Sequence, residues 1–241
     1  MSGHSKWSTI KRKKEKTDGA RAKVFTKIGR EIAVAVREGG PDPAGNSKLK
    51  EVIAKAKANN VPNDNIDRII KKAAGDTSSD NYEEIIYEGY GPNGVAVVVK
   101  ALTDNRNRTA GDLRHYFDKF GGNLGTNGSV SWMFDTKGMI IVAKSDDVDE
   151  EALMMDALDS GADDFNGEGD FYEISTAPDD FRSVRDALEE KGYKFESASI
   201  EKIPQNTITL TDEHDILMME KLIENLEDND DVQEIYHNWE E

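Results

Sequence analysis

The apolar residues of this chain keep helical spacing up to about residue 75 and alternate between strand and helical spacing beyond it, and that change limits the folds open to it. Upstream, they recur at helical spacing. Asp18 can cap a helix whose stripe is Ala20, Val24, Ile28, Ile32 and Ala35 or Val36, and Gly39-Gly40 ahead of Pro41 stops it. A second helix spans Ser47 to Ala58, with Leu49, Val52, Ile53 and Ala56 inward and Lys48, Lys50, Lys55 and Lys57 outward. A third starts near Asn63, past Pro62, with Ile66, Ile69, Ile70 and Ala73 on one face. These predict a helical domain over 18–75, followed by the linker GDTSSDN, Gly75 to Asn81.

Downstream, runs of period two appear between helical stretches. Ile85 to Tyr90 and Gly94 to Leu102 read as strands joined by the turn Gly91-Pro92-Asn93-Gly94, and the β-branched run Val95 to Val99 suits a central strand. Leu113, Tyr116, Phe117 and Phe120 form the stripe of a helix ending at Gly121-Gly122, and Ser129 to Phe134 alternates like a half-buried strand. Next come a strand at Gly138 to Ala143, a helix at Glu150 to Ser160, a hairpin of Asp163 to Phe165 and Phe171 to Thr176, a helix at Phe181 to Lys191 and a strand at Lys194 to Ile203. That order is βαββαβ, the ferredoxin-like split unit. The remaining strand–helix–strand, Thr207–Leu210, Glu213–Leu226 and Val232–Tyr236, is too small to stand alone, so it is expected to complete the earlier sheet. The predicted fold class is therefore α+β and multidomain: a helical domain followed by two α/β domains of ferredoxin-like type, the last inserted into the middle one. The expected divisions are an arm at 1–17, the helices at 18–75, a discontinuous domain of 82–134 plus 204–241, and an insert at 135–203.

Charge divides the chain in another way. Residues 1–75 carry 18 Lys/Arg against 8 Asp/Glu, a balance of +10, whereas residues 76–241 carry 13 against 40, or −27. A basic head on an acidic body directs polyanions to the head, and the body offers a surface to a cationic or protein partner. The head begins with MSGHSKWSTIKRKKEKT, where Lys6, Lys11, Arg12, Lys13, Lys14 and Lys16 surround Trp7 with only Glu15 against them. Charge alone leaves this arm open to two readings, a solubilising tail or a nucleic-acid contact.

Several chemistries lack the residues they need. Cysteine is absent, which removes disulfides, thiolate nucleophiles and Cys-ligated zinc and fits a reducing compartment. His4, His115, His214 and His237 are scattered without ligand spacing. Asp164 to Gly169 opens like a calcium loop, but Ser175 stands where the bidentate Glu belongs, so a turn is expected. Gly121, Gly122, Gly125 and Gly128 follow a helix, unlike a phosphate-cradling loop. No nucleophile elbow, P-loop or dinucleotide fingerprint occurs, so neither an enzyme nor a cofactor is expected. Thr103 to Thr109, TDNRNRT, sits where a strand meets a helix N-terminus, and Arg106 and Arg108 there suit an anion, with capping plus local ion pairs as the competing reading. No apolar run of membrane-spanning length exists, and the basic N-terminus is not followed by an apolar stretch, so a cytoplasmic protein is expected.

At SGHSKWSTIKRKK (Ser2 to Lys14), the following Asp18, Arg21 and Lys23, NNVPNDNIDRIIKKA (Asn59 to Ala73), YEGYGPNGVAVVV (Tyr87 to Val99), TDNRNRT and FGGNLGTNGSVSWMFDTKG (Phe120 to Gly138), the sequence resembles the YebC family. The resemblance spans essentially the whole chain. It implies an N-terminal helical domain followed by two α/β domains, and a non-enzymatic cytoplasmic regulator. Members are usually described as DNA-binding transcriptional regulators. Relatives that include a mitochondrial translational activator act instead on the ribosome and relieve stalling at proline-rich stretches. DNA and ribosomal RNA present the same phosphate target, so both partners stay open. Lys6, Lys11, Arg12, Lys13, Lys14, Lys16, Arg21 and Lys23 are the expected phosphate contacts, with Trp7 either stacked on a base or anchoring the arm.

Overall fold

The computed structural model describes residues 18–75 and 82–240, with side chains in the first helix from residue 22 onward. The arm, the Arg21 side chain and the linker after Gly75 lie outside the described residues. The chain divides into two units. One comprises residues up to Met133 together with Asn206–Glu241, and the other is Phe134–Gln205.

The first unit opens with three helices, α1 (Asp18–Gly39), α2 (Ser47–Ala58) and α3 (Asn63–Gly75). Their predicted stripes meet in one core of Ile28, Ile32, Ala35, Val36, Leu49, Val52, Ala56, Val61 and Ile66. Buried Asn46 fixes the first turn between them. Its Nδ2 donates to the carbonyls of Ala35 (2.7 Å) and Gly40 (2.8 Å), while its Oδ1 accepts from Leu49 N (3.0 Å). One side chain thus closes α1 and caps α2, satisfying groups that a helix end leaves unpaired.

Beyond the linker come β1 (Glu83–Tyr90), β2 (Ala96–Thr103), α4 (Arg106–Lys119) and the two-residue β3 (Asn123–Leu124). Val95, Val97 and Val99 face a core with Leu113, Phe117 and Phe120 of α4 and its C-cap. Helix α4 ends as its glycines predict: Gly121 has φ +81°, and Gly122 N donates back to the Phe117 carbonyl at 2.8 Å. The glycine-rich segment then becomes an edge strand, with Gly89 opposite Leu124 and Tyr90 opposite Asn123. A Cβ on Gly122 would collide with the Tyr90 carbonyl, so only glycine permits this approach.

Ser129 to Phe134 is not the predicted strand. It forms a 3₁₀ turn at Ser131–Met133 that leads into β4 (Phe134–Ala143), leaving Trp132 68% exposed. Buried Glu88 explains the difference, because its carboxylate accepts from the backbone N–H groups of Gly128, Val130 and Ser131, each at 2.8 Å. A side chain occupies the donors that a strand would have offered to a neighbour.

The second unit is the βαββαβ insert: β4, α5 (Glu150–Asp159), β5 (Asp164–Asn166), β6 (Phe171–Thr176), α6 (Phe181–Glu190) and β7 (Ser197–Pro204). Its sheet order, β5-β6-β4-β7, is antiparallel throughout, the split arrangement expected of a ferredoxin-like unit. Ile140, Val142, Tyr172 and Ile174 pack beneath Leu153 and Ala157 of α5 and Phe181, Val184 and Leu188 of α6. Where the calcium-like run lies, Asn166 Oδ1 accepts from Glu168 N at 2.8 Å, an Asx turn.

The chain then returns to the first unit through β8 (Ile208–Thr209), α7 (Glu213–Asp228), β9 (Val232–His237) and β10 (Trp239–Glu240). Strand β9 joins β2, completing the order β3-β1-β2-β9 and making β2 central. Strand β8, expected in that sheet, pairs instead in parallel with β10. Asn238 causes the departure. Its Oδ1 accepts from Ala96 N at 2.8 Å and ends the β2–β9 ladder, while its carbonyl accepts from Ile208 N at 2.7 Å and hands the chain to β8.

Candidate nucleic-acid interface

Among the described cations of the helical domain, two groups stand apart. Lys23, Lys27 and Arg30 lie at i, i+4 and i+7, so they share one face of α1. That face meets the C-terminal end of α7. Lys23 Nζ is 2.8 Å from Asp228 Oδ1, Lys27 Nζ donates to the Glu227 carbonyl at 2.6 Å, and Arg30 Nη1 donates to the Asp230 carbonyl at 2.8 Å. The last turn of α7 has no basic residue of its own, and its free carbonyls form the negative end of the helix dipole. Helix α1 supplies the missing cations. By count they belong to the positive balance of residues 1–75. The structure turns them toward the acidic body, because the dipole end and its flanking carboxylates are the nearest anions. Lys23, a predicted phosphate contact, is among them.

Asp231 anchors this junction. Its carboxylate is almost wholly buried, and Oδ1 accepts from Arg30 at 2.8 Å. On the other side, Oδ2 accepts from Arg108 at 2.7 Å and from the Thr109 hydroxyl at 2.8 Å. Burial acts to raise this carboxyl, but the hydrogen bonds from Arg108, Thr109 and Arg30 outweigh it and hold it below the usual carboxylate range. Asn105 caps α4 by accepting from Arg108 N at 3.1 Å, and Arg108 also pairs with Asp104 at 2.8 Å. TDNRNRT therefore does surround an anion, one supplied by the chain itself. The Arg108 guanidinium is committed to Asp231 and Asp104, whereas the exposed Arg106 side chain is not drawn into that network. Sequence reasoning missed Asp231. Its signal was the acidic run Asp228-Asn229-Asp230-Asp231 after a helix, where a basic residue is usual.

A second bridge runs from Lys55 to Glu31 of α1 (2.8 Å) and Glu234 of β9 (3.4 Å). Burial alone would push the Lys55 ammonium down, but the two carboxylates outweigh it and raise its pKa. Lys48 pairs with Glu38 at 2.8 Å.

The other group lies between α2 and α3. Lys50, Lys57 and Lys71 are exposed, and none has a carboxylate at ion-pair distance among the described residues. They line a groove of about 600 Å³ whose apolar lining includes Ile53, Ile66 and Ile70. Asp67 also lines it.

Among the described residues, no three His, Asp or Glu side chains converge as a metal site, and no helix is long and apolar enough to cross a membrane. The expected contacts Lys6, Trp7, Lys11, Arg12, Lys13, Lys14 and Lys16 lie outside the described residues, as does the Arg21 side chain.

Three helices followed by two α/β domains, one inserted into the other, define a multidomain α+β fold. Two family models divide the chain between them: the TACO1/YebC protein N-terminal domain matches residues 5–76, and the TACO1/YebC second and third domain matches residues 82–239. The chain belongs to the TACO1/YebC family. It is 64% identical over 99% of both chains to a probable transcriptional regulatory protein of Acetivibrio thermocellus. It is 63% identical to one of Ruminiclostridium cellulolyticum, over 100% of this chain and 97% of that one. The crystal structure of a conserved hypothetical protein from Aquifex aeolicus superposes with a TM-score of 0.82 at 45% identity, covering 93% of this chain and 92% of that one.

Proposed function

We propose that this protein is a non-enzymatic, cytoplasmic, DNA-binding transcriptional regulator that contacts nucleic-acid phosphates through its basic N-terminal region. The observation that carries this reading is the charge division, +10 over residues 1–75 against −27 over the rest. A polyanion approaching the molecule is repelled by the body and admitted at the head. The regulatory names of the relatives support it.

Lys6, Lys11, Arg12, Lys13, Lys14 and Lys16 supply the charge, with Arg21 beside them and Trp7 available to stack on a base. Lys23, paired with Asp228, is expected to add no phosphate contact of its own, and Arg106 is the better placed of the two arginines of TDNRNRT. The experiment is deletion of Met1 to Thr17 in the otherwise full chain, with duplex binding measured across a salt series. Each lost phosphate contact lowers the slope of log affinity against log salt by about 0.9, so the six arm cations account for a fall of up to about 5. Unchanged affinity and slope would refute the assignment. In-cell crosslinking scored on promoter DNA and ribosomal RNA together identifies the physiological polyanion. Discrete promoter peaks are expected, and dominant recovery of ribosomal RNA would move the same chemistry to translation.

A further inference from the structure

The groove between α2 and α3 has the composition of a binding site that neither the arm nor α1 provides. Its rim carries Lys50, Lys57 and Lys71, which have no carboxylate at ion-pair distance among the described residues, whereas Lys23, Arg30, Lys48 and Lys55 all do. Its apolar lining includes Ile53, Ile70, Pro41 and Pro43, with the buried Ile66 of the helical core also among the lining residues, around an open space of about 600 Å³. Lys50 and Lys57 are seven residues apart on α2, two turns along one face, and Lys71 of α3 adds a third ammonium to the rim.

We infer that this groove binds a segment of single-stranded nucleic acid, its phosphates on the three lysines and an unpaired base or sugar against the isoleucines. The ligand class follows from the two parts of the site. Three ammonium groups without a carboxylate partner among the described residues call for a polyanion, and strongly hydrated point charges of this kind hold phosphate well. The apolar lining calls for a flat or apolar group between the charges. A duplex hides the flat faces of its bases in the stack and presents only base edges in its grooves, whereas a single strand can turn a base face outward. Asp67 stands in the same groove and disfavours a ligand charged along its whole contact, so it selects one with neutral surface between its phosphates. The inference rests on the nucleic-acid reading above and adds to it a second contact, on the opposite side of the helical domain's charge ledger from α1.

The test uses the full chain with Lys50→Gln, Lys57→Gln and Lys71→Gln combined, and the matching triple Lys→Arg variant. The probes are a single-stranded oligothymidylate and a duplex of equal length, each over a salt series. The lysines are exposed, so both variants are expected to keep the wild-type thermal midpoint. For the single strand, the Gln variant loses roughly tenfold in affinity, and its salt slope falls by about 2, since each single-strand phosphate contact contributes about 0.7. The Arg variant keeps wild-type values, and the duplex is less affected than the single strand. An unchanged slope in the Gln variant, with binding still lost on arm deletion, overturns the groove and leaves the arm standing. Equal losses for duplex and single strand overturn the single-strand assignment. Tighter binding of polyglutamate than of oligothymidylate, lost in the same Gln variant, replaces the ligand by an acidic peptide. A wild-type chain that binds neither nucleic acid sinks the groove and the arm together.

Discussion

Two faces of the same small helical domain carry the same kind of residue in opposite circumstances. On α1, Lys23, Lys27 and Arg30 end at the carbonyls and carboxylates of Glu227 to Asp231, about 200 residues away in sequence. In the α2–α3 groove, Lys50, Lys57 and Lys71 meet no such partners among the described residues. A count of charges treats both sets alike. Their difference lies in what each faces: a helix C-terminus draws cations to itself, and a groove open to solvent leaves them available to a ligand. The first set is engaged with the body, and the second is the one proposed above for recognition.

Removing the centre of the α1 junction tests this division most severely. Asp231→Ala leaves Arg30 and Arg108 without their shared carboxylate and the Thr109 hydroxyl without its acceptor, and since a hydrogen bond to a charged group contributes about 1.5 to 3 kcal/mol, a loss of about 3 kcal/mol is expected. Urea unfolding reads the change, and a loss below about 1 kcal/mol would show that the junction is not structural. Glu88→Ala serves as a control within the body. It frees three backbone N–H groups in the loop before Trp132, for an expected cost of about 2 to 3 kcal/mol, with no effect on the α1 contacts.

Acid should act on the same two carboxylates. Asp231 and Glu88 are both held below their ordinary values in the folded protein, for Glu88 because the N–H groups of Gly128, Val130 and Ser131 outweigh the effect of burial. Such groups contribute stability that is fully present above the unfolded carboxylate pKa of about 4, and lose it as pH falls through their lower folded values. Stability is therefore expected to decline below about pH 4, and Asp231→Asn to flatten that decline. A slope equal to wild type would remove Asp231 from the account. Smallest of all, Lys23→Gln costs under about 1 kcal/mol, because its pair with Asp228 is largely exposed. Its value is in the contrast, since it should leave the salt dependence of nucleic-acid binding where it was.

Much of the fold was legible because it is written in periodicity. The stripes of α1, α2 and α3, the strand at Val95 to Val99 and the βαββαβ insert all depend on residues close in sequence. Return of the chain to the middle sheet was legible too, from the poverty of a lone strand–helix–strand. What was hidden depends on single polar side chains acting at a distance. Glu88 diverts Ser129 to Phe134 from a strand, Asn238 sends β8 to β10, and Asp231 occupies the arginine of TDNRNRT that seemed open to a ligand. None of these leaves a periodic trace. The site was legible only as a surplus of positive charge over residues 1–75, since which lysines are already neutralised depends on partners in the acidic body.

The account's central claim is that the head of this chain holds nucleic-acid phosphates with cations the body does not neutralise. Comparison of three full-length variants tests it most directly: the six arm cations changed to Gln, the three groove lysines changed to Gln, and Lys23→Gln, each titrated with nucleic acid from low to high salt. The expected order of loss in salt slope is arm, then groove, with Lys23→Gln indistinguishable from wild type. A slope that falls for Lys23→Gln while the arm variant keeps the wild-type value would contradict it.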